Sequence, residues 1–284
     1  MIPDKAFYVD PKNVNDTTFF LSKEESHHVT KVFRLALGSK ISLLNGIGSG
    51  YIAKIDSVNG GIVFGTIEDK LESFGENKYD LNIAPAVIKR DRFESLLEKV
   101  TELGVKEIYP LITDRCIKNT INMTRCRKII ISASKQCQRS HFPLLHEPID
   151  MNTWLNRFEG QCFAGIKNVT YQLSDMDIEK ENVIIIMTGP EGDFSPKEIE
   201  MLKNKGVRFY TLGNRRLRSE TAAQSSFSIL NESNFFKIIP LVIVSGKPPL
   251  LLIITAHPLD AASKLVLPKG SSHLEQTTEI VLFL

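Results

Sequence analysis

One stretch constrains this chain more than any other. Asn182 to Thr188 is a very apolar strand, as expected for the buried middle of a parallel sheet. It leads through Gly189-Pro190-Glu191-Gly192-Asp193-Phe194 into a helix start, where Ser195 is the cap, Pro196 takes the first position and Glu198 completes a capping box. A short glycine loop between a buried strand and a capped helix belongs to α/β architecture. The loop falls at the C-terminal sheet edge, where such proteins bind ligands. Taken alone, it reads either as a ligand-binding loop or as a plain strand-to-helix turn.

The same rhythm extends in both directions. Upstream, a strand over Leu81–Ile88 precedes a helix from about Arg92 to Leu103, capped by Gly104, and then a strand over Val105–Leu111. Ile121–Gln138 reads as mostly helical. Downstream, Gly206 ends the Ser195 helix, Val207–Leu212 is a strand, and a last helix starts near Ser219. Before this region the pattern differs. Ser22–Arg34 is a capped helix followed by short alternating runs at Lys40–Leu44, Gly50–Ser57 and Ile62–Ile67, with turn signals at Asn45-Gly46 and Asn59-Gly60-Gly61. Short strands with tight turns predict a small barrel, joined by a polar linker over Leu71–Lys78. The predicted layout is a barrel over residues 1–72, an α/β domain over 79–237, and an apolar, proline-rich extension over 238–284 with no usable periodicity.

A second glycine loop follows the Val207–Leu212 strand: Gly213-Asn214-Arg215-Arg216-Leu217-Arg218-Ser219-Glu220-Thr221. Two such loops at neighbouring strand ends can enclose one small molecule. The three arginines suit phosphates or an anionic base, or are simply a solvated basic turn. No Gly-Lys-Ser/Thr follows the first loop and the dinucleotide glycine spacing is absent, which argues against a nucleotide-binding enzyme of either familiar kind. Net charge is only +2, so any nucleic-acid surface must come from local clusters of Lys and Arg. Cys116, Cys126, Cys137 and Cys162 form no CxxC pair and read as reduced thiols. His27-His28 lack the i, i+4 spacing of helical metal ligands, so no metal is expected. No secretory segment opens the chain, and Ile238–Ala256 is interrupted by Lys247-Pro248-Pro249, so a soluble cytoplasmic protein without a membrane span is expected.

Taken together, Gly189-Pro-Glu-Gly, Phe194-Ser195, Glu198, Leu212-Gly213, Leu217-Arg218 and Glu220-Thr221-Ala222 resemble the signature of the RsmE family in the SPOUT superfamily. Lys89, Asp91-Arg92, Glu94, Lys99, Thr101-Glu102-Leu103-Gly104-Val105, Gln136, Arg139 and the His27-His28…Arg34…Gly38 element extend the similarity over roughly Ala6 to Leu230. The resemblance implies a PUA-like β-barrel that binds RNA, followed by a trefoil-knotted α/β methyltransferase domain acting as a homodimer. It also implies an S-adenosylmethionine-dependent enzyme that methylates N3 of a uridine in 16S ribosomal RNA, within a small subunit or its precursor.

Carried onto this chain, Gly189, Glu191, Gly192, Leu212, Gly213 and Leu217 would contact the cofactor. Arg218 would stabilise the uracil anion and Glu220 would serve as base. Arg34, Lys89, Arg92, Gln136 and Arg139 would face RNA. Asp193 stands where the family usually has a second glycine, Ser132 and Lys135 stand where acidic residues are expected, and the segment after about Lys237 is foreign to the family. The alternative from another class is a knotted RNA-binding or assembly protein whose catalysis has decayed.

Overall fold

The computed structural model describes residues 2–77, 80–176 and 183–232, so the expected extension from 238 and the starts of the strand at Asn182 and the domain at Tyr79 lie outside the described residues. The N-terminal region contains β1 (Ala6–Tyr8), β2 (Thr18–Phe20), α1 (Lys23–His27), β3 (Lys40–Leu44), β4 (Ser49–Asn59) and β5 (Ile62–Glu72). Its sheet runs β1-β3-β4-β5-β2, parallel only between β1 and β3. A bridge from Val14 to Phe19 ties β2 to the segment after β1, and Phe7, Phe19, Ile41, Leu43, Ile55 and Val63 belong to the core of this region. The β4–β5 hairpin turns through Gly60 and Gly61 at φ +59° and +80°, the left-handed pair that such a turn demands. Both strands outrun their expected ends, so the first two residues of the predicted linker still belong to β5.

Ser22 caps α1 by accepting from Glu25 N, and the chain continues as a π-wound turn over His28–Val32 before Arg34 breaks it at φ +52°. The connection at Asn45-Gly46 is longer than a two-residue turn because it serves as a contact. A Cβ at Gly46 would lie 2.8 Å from the Phe142 ring, and one at Gly48 2.5 Å from His141 Nε2.

The α/β region comprises β6 (Leu81–Pro85), α2 (Arg90–Glu102), β7 (Glu107–Ile108), β8 (Leu111–Ile112), α3 (Met123–Gln136), β9 (Leu144–Leu145), β10 (Ile149–Asp150), α4 (Met151–Leu155), β11 (Gln161–Gly165), β12 (Ile184–Thr188), α5 (Pro196–Asn204), β13 (Arg208–Tyr210) and α6 (Ser219–Glu232). Six strands form a parallel sheet in the order β13-β11-β12-β6-β7-β9. Strand alternation divides β12 between two cores. Ile184 and Ile186 pack with Phe93, Leu97, Ile130 and Phe227 from α2, α3 and α6. Ile185 and Met187 pack with Trp154, Phe194 and Leu202 from α4, α5 and the preceding loop.

Two expectations need correction. The strand expected over Val105–Leu111 is split at Pro110, which has no N–H to give a ladder, and β8 pairs with β10 in a separate two-stranded sheet. β11 was not anticipated, yet it lies between β12 and β13. Among the described residues no helix is long and apolar enough to cross a membrane.

Candidate active site

The C-terminal ends of β11, β12 and β13 lie side by side, and the loops that leave them surround a cavity of about 700 Å³. Its walls come from Gly165–Asn168, Thr188–Glu191 with Asp193, and Tyr210–Gly213 with Arg215–Ser219. That volume suits a nucleoside-sized ligand.

The first glycine loop is held from several directions. Asp193 N donates to Pro190 O at 2.9 Å, closing a tight turn, and Asp193 itself sits at φ +64°. Its Oδ1 accepts from Phe194 N at 2.8 Å. The predicted capping box is present: Ser195 Oγ accepts from Glu198 N and Glu198 Oε2 accepts from Ser195 N at 2.7 Å. Ser195 Oγ also donates to Asp114 Oδ2 at 2.6 Å, and Glu198 Oε1 accepts from Asp114 N at 2.8 Å. Arg115 donates to Gly192 O at 2.6 Å. Asp114 and Arg115 escaped the sequence reading. They follow β8 by two and three residues, and nothing local marks their partner some eighty residues on.

The second loop is tied to the first. Ser219 Oγ donates to Gly189 O at 2.6 Å, and Arg216 Nη2 donates to Glu191 O at 2.7 Å. Gly213 takes φ +101°, a conformation side chains resist. Beneath the loops, the buried Tyr210 hydroxyl bonds Ser226 Oγ at 2.7 Å, and burial pushes that phenol's pKa up, so it stays neutral. A Cβ at Gly165 would press within 3.1 Å of this hydroxyl.

The electrostatics separate floor from rim. Arg92, from the first turn of α2, lies 3.3 Å from Glu191 Oε1 and 4.0 Å from Glu220 Oε1. Among the described residues, Glu220 Oε2 and Thr188 Oγ1 are buried without a hydrogen-bond partner, and Thr188 lines the cavity. Lys167, Arg215, Arg216 and Arg218 line the exposed rim. Arg218 has no side-chain partner among the described residues.

Of the expected cofactor contacts, Gly189, Glu191, Leu212, Gly213 and Leu217 line the cavity. Gly192 does not line it; it is the residue against which Arg115 packs. Arg218 lines the rim, whereas Glu220 lies behind it against Arg92. The expected RNA-facing set divides. Arg34, Lys89 and Gln136 are exposed, but Arg92 is committed inside the site. Arg139 is 1% exposed, forks onto both oxygens of Glu76 and donates to Thr101 O, so it is an internal strut and not an RNA contact. Lys135, an unexpected cation, pairs with Glu25 at 2.6 Å and links α3 to α1.

Comparison with known proteins agrees with this geometry. The family described as RNA methyltransferase domain matches residues 75–231, and the RNA methyltransferase PUA domain matches residues 21–68. The chain is 27% identical to a ribosomal RNA small subunit methyltransferase E of Rickettsia conorii over 76% of this chain and 90% of that protein. It is 30% identical to the ribosomal RNA small subunit methyltransferase E 2 of Borreliella burgdorferi, over 69% and 83% respectively. A ribosomal RNA small subunit methyltransferase E from Neisseria gonorrhoeae, solved with bound S-adenosylmethionine, superposes with a TM-score of 0.73 at 26% identity, covering 81% of this chain and 97% of that one. A Legionella pneumophila protein described as a methyltransferase, also solved with this cofactor, gives 0.73 at 29% identity, covering 82% and 98%. With one family match spanning more than half its length and these relatives aligned across both regions, the chain belongs to the RNA methyltransferase family that includes the ribosomal RNA small subunit methyltransferases E.

Proposed function

We propose that this protein transfers a methyl group from S-adenosylmethionine to N3 of a uridine in 16S ribosomal RNA, in the small subunit or its precursor, acting in the cytoplasm as a homodimer. The observation that carries the reading is the cavity itself: two glycine loops locked together by Ser219 and Arg216, with Arg218, unpaired among the described residues, at the mouth. The residues fit the cofactor. Gly189 and Gly213 leave room for close approach to the backbone, Leu212 and Leu217 offer apolar surface to a purine, and Thr188 Oγ1 is an unspent polar atom. When bound, the cofactor supplies an electrophilic methyl group on a sulfonium.

What remains for the protein is alignment and proton management. The imide proton at N3 must leave before or as the nitrogen attacks. Arg218 provides a fixed positive charge for the anion that develops, the kind of preorganised group that acts most strongly on a transition state. Glu220 is the candidate base, with Oε2 uncommitted and Oε1 held near Arg92. Arg34, Lys89 and Gln136 are assigned to RNA from the family resemblance, and their exposure is compatible with that role. Asp193 lines a cavity that stays open, and aspartate tolerates the left-handed conformation better than most residues, both of which favour a working site over a decayed one.

The test pairs calorimetric titration of S-adenosylmethionine with methylation of small-subunit particles, read as methyluridine by mass spectrometry. Arg218→Ala is expected to keep cofactor affinity within about threefold while the transfer rate falls by roughly a hundredfold. Wild-type protein that neither binds the cofactor nor methylates the particle would overturn the reading.

A further inference from the structure

Of the two carboxylates that line the cavity, Glu191 is spoken for by Arg92 at 3.3 Å. Asp193 forms no ion pair among the described residues, although four cationic side chains share the same rim. The start of α5 two residues on favours a carboxylate only modestly, and the side chain's own bond does not require the charge. A residue at φ +64° is most easily glycine, and the one bond that the Asp193 side chain makes among the described residues, Oδ1 accepting from Phe194 N, would be made as well by the amide oxygen of asparagine. Asparagine also tolerates this backbone. What neither neutral residue supplies is a negative charge beside Gly189, where a Cβ would lie only 3.2 Å from Asp193 Oδ1. A non-glycine residue held in a sparsely populated conformation at a ligand loop is a reason to look for a role.

We propose that Asp193 receives a cationic centre of the bound methyl donor. It is thus an affinity determinant of this particular chain, in a cavity whose remaining free charge is positive and selects anions. The inference rests on the reading of the cavity as the cofactor site. Two cationic centres are available, the sulfonium and the amino-acid ammonium. Loss of the methyl group converts the sulfonium to a neutral thioether and leaves the ammonium unchanged, so donor and product separate the two.

The experiment is calorimetric titration of wild type, Asp193→Asn and Asp193→Gly with S-adenosylmethionine, S-adenosylhomocysteine and adenosine, with thermal melts to confirm folding. Both variants are expected to bind the donor about tenfold more weakly, the scale of one charge-assisted hydrogen bond in a partly open site, with adenosine affinity unchanged. A loss confined to the donor assigns the sulfonium. An equal loss for the product assigns the ammonium. Either supports the proposal, and added salt should narrow the gap between wild type and variants. Folded Asp193→Asn that binds the donor within twofold of wild type overturns the role of Asp193 while leaving the cofactor site intact. Wild type that fails to bind the donor removes both.

Discussion

Replacing Arg139 by methionine tests the conclusion that this arginine is an internal strut. The substitution roughly preserves volume and removes the guanidinium. Its partner, Glu76, has a side chain only 5% exposed and would keep one amide donor, His141 N at 2.9 Å. Leaving one member of a buried pair unpaired costs roughly 3–5 kcal/mol. The surviving His141 bond places the expectation near the lower end, about 3 kcal/mol. The loss of the donor to Thr101 O adds to it, since that carbonyl is deprived of a 2.8 Å bond. For a folded unit of this size, each kcal/mol moves the midpoint by roughly 2–4 °C, so Tm should fall by at least roughly 6–12 °C. Thermal melts followed by circular dichroism, at low salt and at about 1 M salt, provide the assay. Salt screens exposed charges but barely reaches a buried fork, so the difference should persist at high salt. The double variant Arg139→Met with Glu76→Leu should recover much of the loss, because no lone charge stays buried. A drop under about 2 °C, or one that vanishes in salt, would refute the reasoning and return Arg139 to the surface role its sequence context suggested.

Two further outcomes follow from ionisation. Burial works to raise the Glu107 carboxyl, but hydrogen bonds with Tyr109 Oη at 2.7 Å and His146 Nε2 at 2.6 Å outweigh it and hold the group below the ordinary carboxylate range. A pKa lower in the folded than in the unfolded chain adds stability above the unfolded value, about 4.3, and loses it as pH falls through the folded value. Glu107→Gln should therefore be less stable than wild type at neutral pH, with the gap closing below about pH 4; urea midpoints across that range check this, and a gap independent of pH counts against it. Burial pushes the Cys162 thiol up to about 12, so it should resist iodoacetamide in native protein near pH 8 and react once denatured. Peptide mapping that finds it alkylated at once in the native state would contradict its place in the core.

The local parts of the site were legible because their physics is local. A capping box needs only residues three apart, and Ser195 with Glu198 announces itself in any context. The Asn59-Gly60-Gly61 turn is written in residues that accept positive φ, and the apolar run of β12 implies burial on both faces. From these and the two glycine loops, the α/β class and the position of the cavity could be drawn without coordinates. The three arginines of the second loop were legible as a basic cluster, and only the family resemblance singled out Arg218 among them.

The misses share a cause. β11 is five residues long and borrows its identity from β12 and β13, with which its ladders form, so no periodicity within Gln161–Gly165 declares it. Asp114 and Arg115 look like loop charges until the fold brings Ser195 and Gly192 to them. Arg139 looks like a surface cation until Glu76, sixty-three residues earlier, is found against it. Capping, turn geometry and alternation act over a few residues and are encoded where they occur. Ion pairing and strand order are decided between segments far apart in the chain, and a side chain's role there depends on which partner the tertiary structure delivers.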